Sequence, residues 1–286
     1  MHTTTLKKLA LALTFWLALH LAPLKAQLLT PTSNSNASLG VDADGLLYDT
    51  GTFGTGTLSL SGAGTRMFWY PGKAAFRAGE ADSTGWNDAN IGHYSVAFGL
   101  NTTASGAYSV AMGAGTTASG SGSTASGRYT TASGNFSTAV GQETTASGAY
   151  STASGINSNA TGEASTALGN GTASGFVSTA LGLGTSASGD YSTASGNQTS
   201  AGAQCSFVAG AFNLDLSETG ATPSPTTWVA TDPLFEIGNG GGFFGGGNPA
   251  TTGPSDAFVV YKNGDVAAQG VITSAPGGDI PMYTGN

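Results

Sequence analysis

The chain has 286 residues, of which 46 are glycine and only 8% are charged. It carries 8 basic and 16 acidic residues, so a phosphate backbone would not attract it, and this excludes nucleic acid as a partner. So little charge beside so much glycine is typical neither of disordered chains nor of ordinary globular enzymes, and it indicates a periodic structure.

The beginning of the chain, residues 1–26, predicts a secretory signal peptide. Lys7 and Lys8 precede an apolar run at 9–21, and the small Ala26 follows it. The run is shorter than the about 20 residues that a membrane-spanning helix needs, which disfavours the alternative of an uncleaved anchor. We expect cleavage after Ala26, leaving a secreted mature chain without a membrane span.

Residues 27–90 predict short strands and turns, and they contain a cluster of aromatic and basic side chains. One interpretation is a glycan platform, in which a ring stacks on a sugar and a guanidinium binds a carboxylate. The favoured alternative is a capping region, whose aromatic residues bury the open end of the structure that follows. The residues that either role would use are Arg66, Trp69, Tyr70 and Arg77.

From Gly92 onward the chain repeats every seven residues, in units such as AYSVAMG, RYTTASG and AYSTASG. Ser or Thr stands four residues before most of these glycines, and Ala stands two before. Collagen is excluded because it needs glycine at every third position. A coiled coil is excluded because its seam needs large apolar residues. The pattern therefore predicts short β-strands that end at glycine corners.

Comparison of neighbouring units shows that the true period is fourteen residues. The residue before glycine is large and apolar in most units of one register, whereas in the other register it is Ser or Thr. We expect about eight coils of two strands each, with Ser and Ala filling the narrow interior. So thin a coil encloses little core, and three chains are expected to bury its apolar stripe together. This trimer stripe consists of Phe98, Met112, Val140, Leu168 and Leu181.

The other register predicts a ladder of hydroxyl groups on the opposite face, which is a candidate binding surface. Its T-x-S pairs would stack at the strand spacing of about 4.8 Å. Such a face resembles the flat hydroxyl arrays of ice-binding β-solenoids, although Ser lacks the methyl group that those arrays carry. Ice binding is therefore the weakest alternative. The ladder consists of Thr103, Ser105, Thr117, Ser119, Thr131, Ser133, Thr145 and Ser147.

The units GHYSVAFG, AYSVAMG and EASTALG resemble the NSVAIG-type head repeat of trimeric autotransporter adhesins, typified by YadA. The resemblance covers residues 91–212. It implies a left-handed parallel β-roll, a homotrimer at the bacterial outer membrane, and binding of matrix proteins, polysaccharide or other surfaces. A purely architectural role, as a spacer in a fibre or coat, is the alternative.

After the repeats, residues 213–232 predict a linker and residues 233–286 a second small β-unit. Asn263 and Gly264 between apolar runs are a strong hairpin signal. This segment resembles the trimeric β-element of phage tail-fibre proteins, which implies a C-terminal trimerisation clasp. The whole chain is thus predicted to be all-β.

The mature chain has too few reactive side chains for most catalytic sites. It keeps one histidine, His93, and one cysteine, Cys205, so catalytic triads and multi-histidine metal sites lack partners. We expect no enzyme activity, no cofactor and no bound metal. Cys205 has no second cysteine for an intrachain disulfide, and it is interpreted as a small buried hydrophobe.

Overall fold

The computed structural model describes residues 38–41, 47–213, 222–240 and 254–269. In these ranges the chain forms β-strands and two short 3-10 helices, Pro71–Lys73 and Asp88–Asn90, and it contains no α-helix. The prediction of an all-β fold is therefore confirmed. The predicted signal peptide lies outside the described residues.

Four strands of the described residues precede the repeats. Strands β1 (Ser38–Val41) and β2 (Leu47–Thr50) form an antiparallel sheet of their own. Strands β3 (Gly64–Tyr70) and β4 (Ala75–Ala81) form a second antiparallel pair. Strand β4 then pairs in parallel with the first strand of the repeats, so the N-terminal flank is continuous with the sheet of the repeats.

The repeats form a parallel β-solenoid of about eight turns, as the fourteen-residue period predicts. Each long strand lies one coil from its equivalent, so that Val96 is opposite Val110 and Gly99 is opposite Gly113. The short strands form a second ladder, in which Thr103 lies opposite Thr117. The strands are β5 (Val96–Leu100), β6 (Thr103–Ala104), β7 (Val110–Ala114), β8 (Thr117–Ala118), β9 (Thr124–Arg128), β10 (Thr131–Ala132), β11 (Thr138–Gln142), β12 (Thr145–Ala146), β13 (Thr152–Ile156), β14 (Asn159–Ala160), β15 (Thr166–Ala173), β16 (Thr179–Ala187), β17 (Thr193–Asn197), β18 (Ser200–Ala201) and β19 (Phe207–Ala211).

One coil is a residue shorter than the others, and the sheet absorbs the deletion locally. Strands β15 and β16 run through a corner as single strands, and their pairing shifts register between Asn170 and Gly171. On either side of this irregularity the register is regular, with Gly169 opposite Gly182. The outward columns of side chains therefore continue past the deletion.

The glycine corners stack too closely to accept a side chain. A Cβ atom on Gly113 would lie 1.9 Å from the carbonyl oxygen of Gly127, and Gly113 has a φ of 118°. In the other corner row, a Cβ atom on Gly120 would lie 2.0 Å from the carbonyl oxygen of Gly134. This close approach of backbone to backbone explains why glycine returns every seventh residue.

The interior contains only small side chains along most of its length. An unbroken column of alanines is buried from Ala97 to Ala201, and Val208 closes it. The residues four before glycine also point inward and are fully buried, as at Thr102 and Ser109. The Ser109 hydroxyl donates to the carbonyl of Gly106 at 2.7 Å. The prediction that Ser and Ala fill a narrow interior is confirmed.

Where the structure describes the chain after the repeats, three strands extend the same sheet. Strand β20 (Pro233–Asn239) pairs in parallel with β19, and β21 (Asp256–Tyr261) and β22 (Val266–Ala268) continue antiparallel. The turn between β21 and β22 contains Asn263 and Gly264, which confirms the predicted hairpin. Part of the predicted linker, at 214–221, lies outside the described residues.

Candidate functional site: two faces and two ends of the solenoid

The solenoid has two faces of different chemistry, which we call the long-strand face and the short-strand face after the strands that form them. Within residues 92–212, the exposed large hydrophobic side chains lie on the long-strand face or at the corners beside it. The short-strand face carries Thr, Ser and Asn in its outward columns. Because large apolar patches on a surface mark contacts, the long-strand face is the candidate assembly surface.

The five residues of the predicted trimer stripe occupy one straight column on the long-strand face. The register places Phe98 opposite Met112 and Leu168 opposite Leu181, with serines such as Ser126 in the intervening coils. Phe98, Met112, Val140 and Leu168 are 39–40% exposed, and Leu181 is half-buried. The single chain thus leaves the whole column partly open to water. Its role in a trimer stays a prediction.

The predicted hydroxyl ladder lies on the short-strand face. Parallel pairing aligns Thr103, Thr117, Thr131 and Thr145, and Asn159 then interrupts the row. The threonines are half-buried, Ser105 is also half-buried, and the other three serines are exposed. The structure therefore brings all eight predicted residues together on one uncharged surface. Their binding role stays a prediction.

A third column, which we call the aromatic corner, borders the long-strand face. Its rings stack from coil to coil: the Tyr94 and Tyr108 centroids are 5.1 Å apart, and those of Phe136 and Tyr150 are 5.5 Å apart. These residues adopt left-handed backbone, as does Cys205, which occupies the equivalent position and is half-buried. The sequence interpretation assigned these aromatic residues no role. The signal that could have found the column is that these residues all stand two after a glycine, at the same place in the fourteen-residue period.

The N-terminal end of the interior is closed by Arg77, which stands opposite Ala97 at the head of the alanine column. Its guanidinium donates to the carbonyls of Phe76, Ser95 and Ala104 and to the Ser95 hydroxyl, at 2.8–3.0 Å. Burial lowers the pKa of Arg77 to about 10, which leaves it charged at neutral pH. Arg77 is fully buried and cannot reach a glycan from this position.

The other members of the predicted glycan-or-cap cluster are divided between inside and outside. Tyr70 is buried, its hydroxyl donates to the Gly56 carbonyl at 3.3 Å, and burial, with Asp88 adding to the effect, raises the pKa of Tyr70. Arg66 donates to the Gly62 carbonyl. Only Trp69 faces outward, at 40% exposure. This division favours the cap over the glycan platform.

The cap also includes a residue that sequence reasoning missed. Trp86 is fully buried, and its indole N–H donates to the Thr102 carbonyl at 2.8 Å. Its ring meets that of Phe68 edge to face, with centroids 6.2 Å apart. Trp86 stands outside the repeat, so no periodic signal marked it.

The C-terminal end of the interior is also closed by a charged side chain. Glu236 stands opposite Val208 and accepts a hydrogen bond of 2.7 Å from the Asn213 amide. The same amide donates to the Ser200 carbonyl at 3.0 Å. Nearby, the buried Lys262 ammonium lies 3.7 Å from the Asp232 carboxylate. Polar side chains that hydrogen-bond to the first and last coils thus close the interior at both ends.

The described residues contain no group of three or more His, Cys, Asp or Glu side chains that could hold a metal ion. A helix of the length and apolar character that crossing a membrane requires is also missing from them.

Comparison with known families identifies the repeats. The family model of the YadA head domain repeat, which describes two copies of the repeat, matches residues 91–116, 118–144, 146–172 and 173–199. Together these segments cover the coils from β5 to β17. No match was found among curated proteins.

Proposed function

Because residues 91–199 form a YadA-like head, which is typical of bacterial surface adhesins and not of enzymes, we propose that this chain is a secreted adhesin whose head acts as a homotrimer. YadA-type heads are homotrimeric. The observation that carries the proposal is the chemical difference between the two faces of the solenoid. One face has the apolar character of an assembly surface, and the other has the uncharged polar character of an outer surface.

The long-strand face supports assembly because one thin coil cannot bury it. The interior is already filled by the alanine column, so Phe98 and Met112 have no place inside. Each apolar side chain that becomes fully buried contributes about 1.5–3 kcal/mol. Three stripes that meet about one axis would bury this surface on every chain, so the closed assembly would leave no stripe exposed.

The short-strand face supports adhesion because it would remain outside such a trimer. Its hydroxyl ladder presents neutral donors and acceptors, which suit the hydroxyl and amide groups of polysaccharides and matrix proteins. Three copies on one particle would raise a weak single contact by avidity. We place the protein at the bacterial cell surface, with matrix protein or polysaccharide as its ligand class.

Two measurements on the mature chain test this function. Sedimentation velocity at micromolar concentration is expected to show a trimer, and a stable compact monomer would overturn the assembly. Binding to an array of matrix proteins and polysaccharides is expected to be positive, and silence across the array would overturn the adhesin role and leave the spacer role.

A matched pair of variants locates the binding surface. Ser119→Asp with Ser133→Asp adds charge to the hydroxyl ladder and is expected to weaken binding at least about tenfold, because each carboxylate must be desolvated at the contact. Asn157→Asp with Gln198→Glu adds the same charge at two exposed corners, with little change of shape. Equal binding by the two double variants would exclude the ladder as the contact surface.

A further inference from the structure

The aromatic corner contains a gap in the coil between Tyr108 and Phe136. The residue at this position is Gly122, which has a φ of 66° and no side chain. The ring of Phe136 leans toward the gap, since a Cβ atom on Gly122 would lie 2.8 Å from it. The strands that carry the two rings are two strand spacings apart, about 10 Å, and the coil between them has no side chain at this position. We call this gap the Gly122 notch.

The opposite border of the long-strand face, where the long strands end, carries a single cation. The residue after each corner glycine forms this border, and between Leu100 and Ala211 only Arg128 is charged. Arg128 is exposed, and no ion pair among the described residues involves it. Its guanidinium carbon lies 4.8 Å from the ring centroid of Tyr129. A planar cation thus stands at the edge of an apolar face.

Arg128 and the Gly122 notch belong to the same coil, at opposite borders of the same strand. The neighbouring coil shows the reverse combination, with the bulky Tyr108 at the aromatic corner and the small Ala114 at the other border. A closed ring of identical chains keeps equivalent coils at equal height, and it brings one border of each chain against the other border of the next. Large side chains then meet small ones in both coils.

We infer that, in the homotrimer proposed above, Arg128 of each chain inserts into the Gly122 notch of the next chain. There the guanidinium lies between the rings of Tyr108 and Phe136, whose faces attract a cation. Ala114 leaves room for the neighbouring Tyr108 in the same way. The partner of each border is a second copy of this chain, and the inference rests on the proposed trimer.

Disulfide trapping tests the pairing of the borders. In a Cys205→Ser background, Tyr108→Cys with Ala114→Cys is expected to give covalent trimers on a non-reducing denaturing gel after mild oxidation. The two positions of one chain are more than about 15 Å apart, whereas a disulfide needs Cα atoms within about 7 Å. Cysteine suits the position of Tyr108, because Cys205 adopts the same left-handed backbone at the equivalent position seven coils later, with a φ of 59°.

The matched control moves the second cysteine along the same border. Tyr108→Cys with Gln142→Cys separates the two positions by two coils, about 10 Å along the axis, and it is expected to stay uncrosslinked. Crosslinking of this control as strongly as the first pair would overturn the inferred register. Disulfide-linked dimers of the single variant Tyr108→Cys would also overturn it, because they would show that the aromatic corners of two chains contact each other.

The parent protein separates the two proposals. If it sediments as a trimer and the Tyr108 and Ala114 cysteines do not crosslink, the pairing of borders is wrong while the trimer stands. If it sediments as a compact monomer, both proposals fail.

A second series tests the cation. Arg128→Ala is expected to weaken the trimer about 100-fold, since three contacts are lost and each is worth about fivefold. The trimer affinity of Arg128→Lys is expected to lie between those of the parent protein and Arg128→Ala, because an ammonium keeps the charge but does not stack as a planar group. Gln142→Ala on the same border is the control and is expected to change little. An unchanged trimer affinity in Arg128→Ala would overturn the notch contact. A loss of trimer affinity in Tyr129→Leu equal to that in Arg128→Ala would also overturn it, because it would assign the effect to the Tyr129 ring of the same chain.

Discussion

The two faces of the solenoid share one backbone and one repeat, yet their outward side chains differ most at the position before glycine. On the long-strand face the residue before glycine is Phe, Met, Val or Leu in most coils, and on the short-strand face it is Ser or Thr. Inward, both strands present the same small residues to a common interior. The inward positions therefore build the coil, while the outward positions give the two faces their different chemistry.

The largest loss of stability is expected at a glycine corner, because each corner joins a long strand to a short strand and so supports both faces. Gly113→Ala places a Cβ atom against the Gly127 carbonyl oxygen and should reduce the free energy of unfolding by more than about 4 kcal/mol, enough to abolish folding. Gly62→Ala is the control, because Gly62 also has a left-handed φ, 74°, but no neighbouring atom within 4 Å. It should cost about 1 kcal/mol. Thermal unfolding followed by circular dichroism measures both, and equal losses would contradict the stacking argument.

The second effect distinguishes the two faces directly. Val140→Asp and Thr145→Asp change the same coil on opposite faces. Val140→Asp should weaken assembly by more than about 4 kcal/mol, because the trimer would bury three unpaired carboxylates. Thr145→Asp should change assembly by less than about 0.5 kcal/mol. Sedimentation velocity is the measurement, and Val140→Ala serves if the aspartate variant does not fold. Similar losses from both changes would break the distinction between the faces.

A smaller effect is expected at the capped end, which belongs to neither face. Arg77→Met leaves the carbonyls of Ser95 and Ala104 without their donor and should lower the free energy of unfolding by about 2–3 kcal/mol. The chain should still assemble, since Arg77 does not reach the surface. Arg66→Met is the control and should cost less than about 1 kcal/mol. Chemical denaturation measures both, and an unaffected Arg77→Met would show that the cap does not stabilise the coil.

The smallest effect is expected on the hydroxyl ladder. Thr117→Val with Thr131→Val keeps the shape of both side chains and should change the free energy of unfolding by less than about 0.5 kcal/mol per residue. The reason is that both side chains point away from the interior, in the outward positions of their strands. A large loss of stability would mean that the short-strand face holds the coil together and is not free for a ligand.

Much of the fold was predictable because it is periodic. The recurrence of glycine every seventh residue located the corners, and the alternation of Ser and Ala identified the interior. The fourteen-residue comparison placed Phe98, Met112 and their equivalents in one column, which the register of the sheet reproduces. These inferences worked because a strand alternates its side chains and a solenoid repeats its environment at every turn.

The ends of the solenoid were harder to predict, because the residues that form them do not repeat. Arg77 was grouped with Trp69 as a cap or a glycan site, with the cap favoured, and the sheet turns Arg77 inward and Trp69 outward. The participation of Trp86 and Glu236 in closing the interior had no counterpart in the pattern. Strands β4 and β20 pair with the repeats from outside the repeat region, so only the assembled sheet shows that they complete it.

The amino-acid sequence by itself determined the coil, its small-residue interior and the unequal chemistry of its faces, because each of these follows from local alternation repeated at a constant interval. Only the tertiary structure decided which side chains close the two ends, how the aromatic rings stack at the corner, and that Arg128 and the Gly122 notch stand at opposite borders of one face. Those features depend on contacts between residues one or more coils apart, or outside the repeat, and such contacts exist only once the chain has wound into its solenoid.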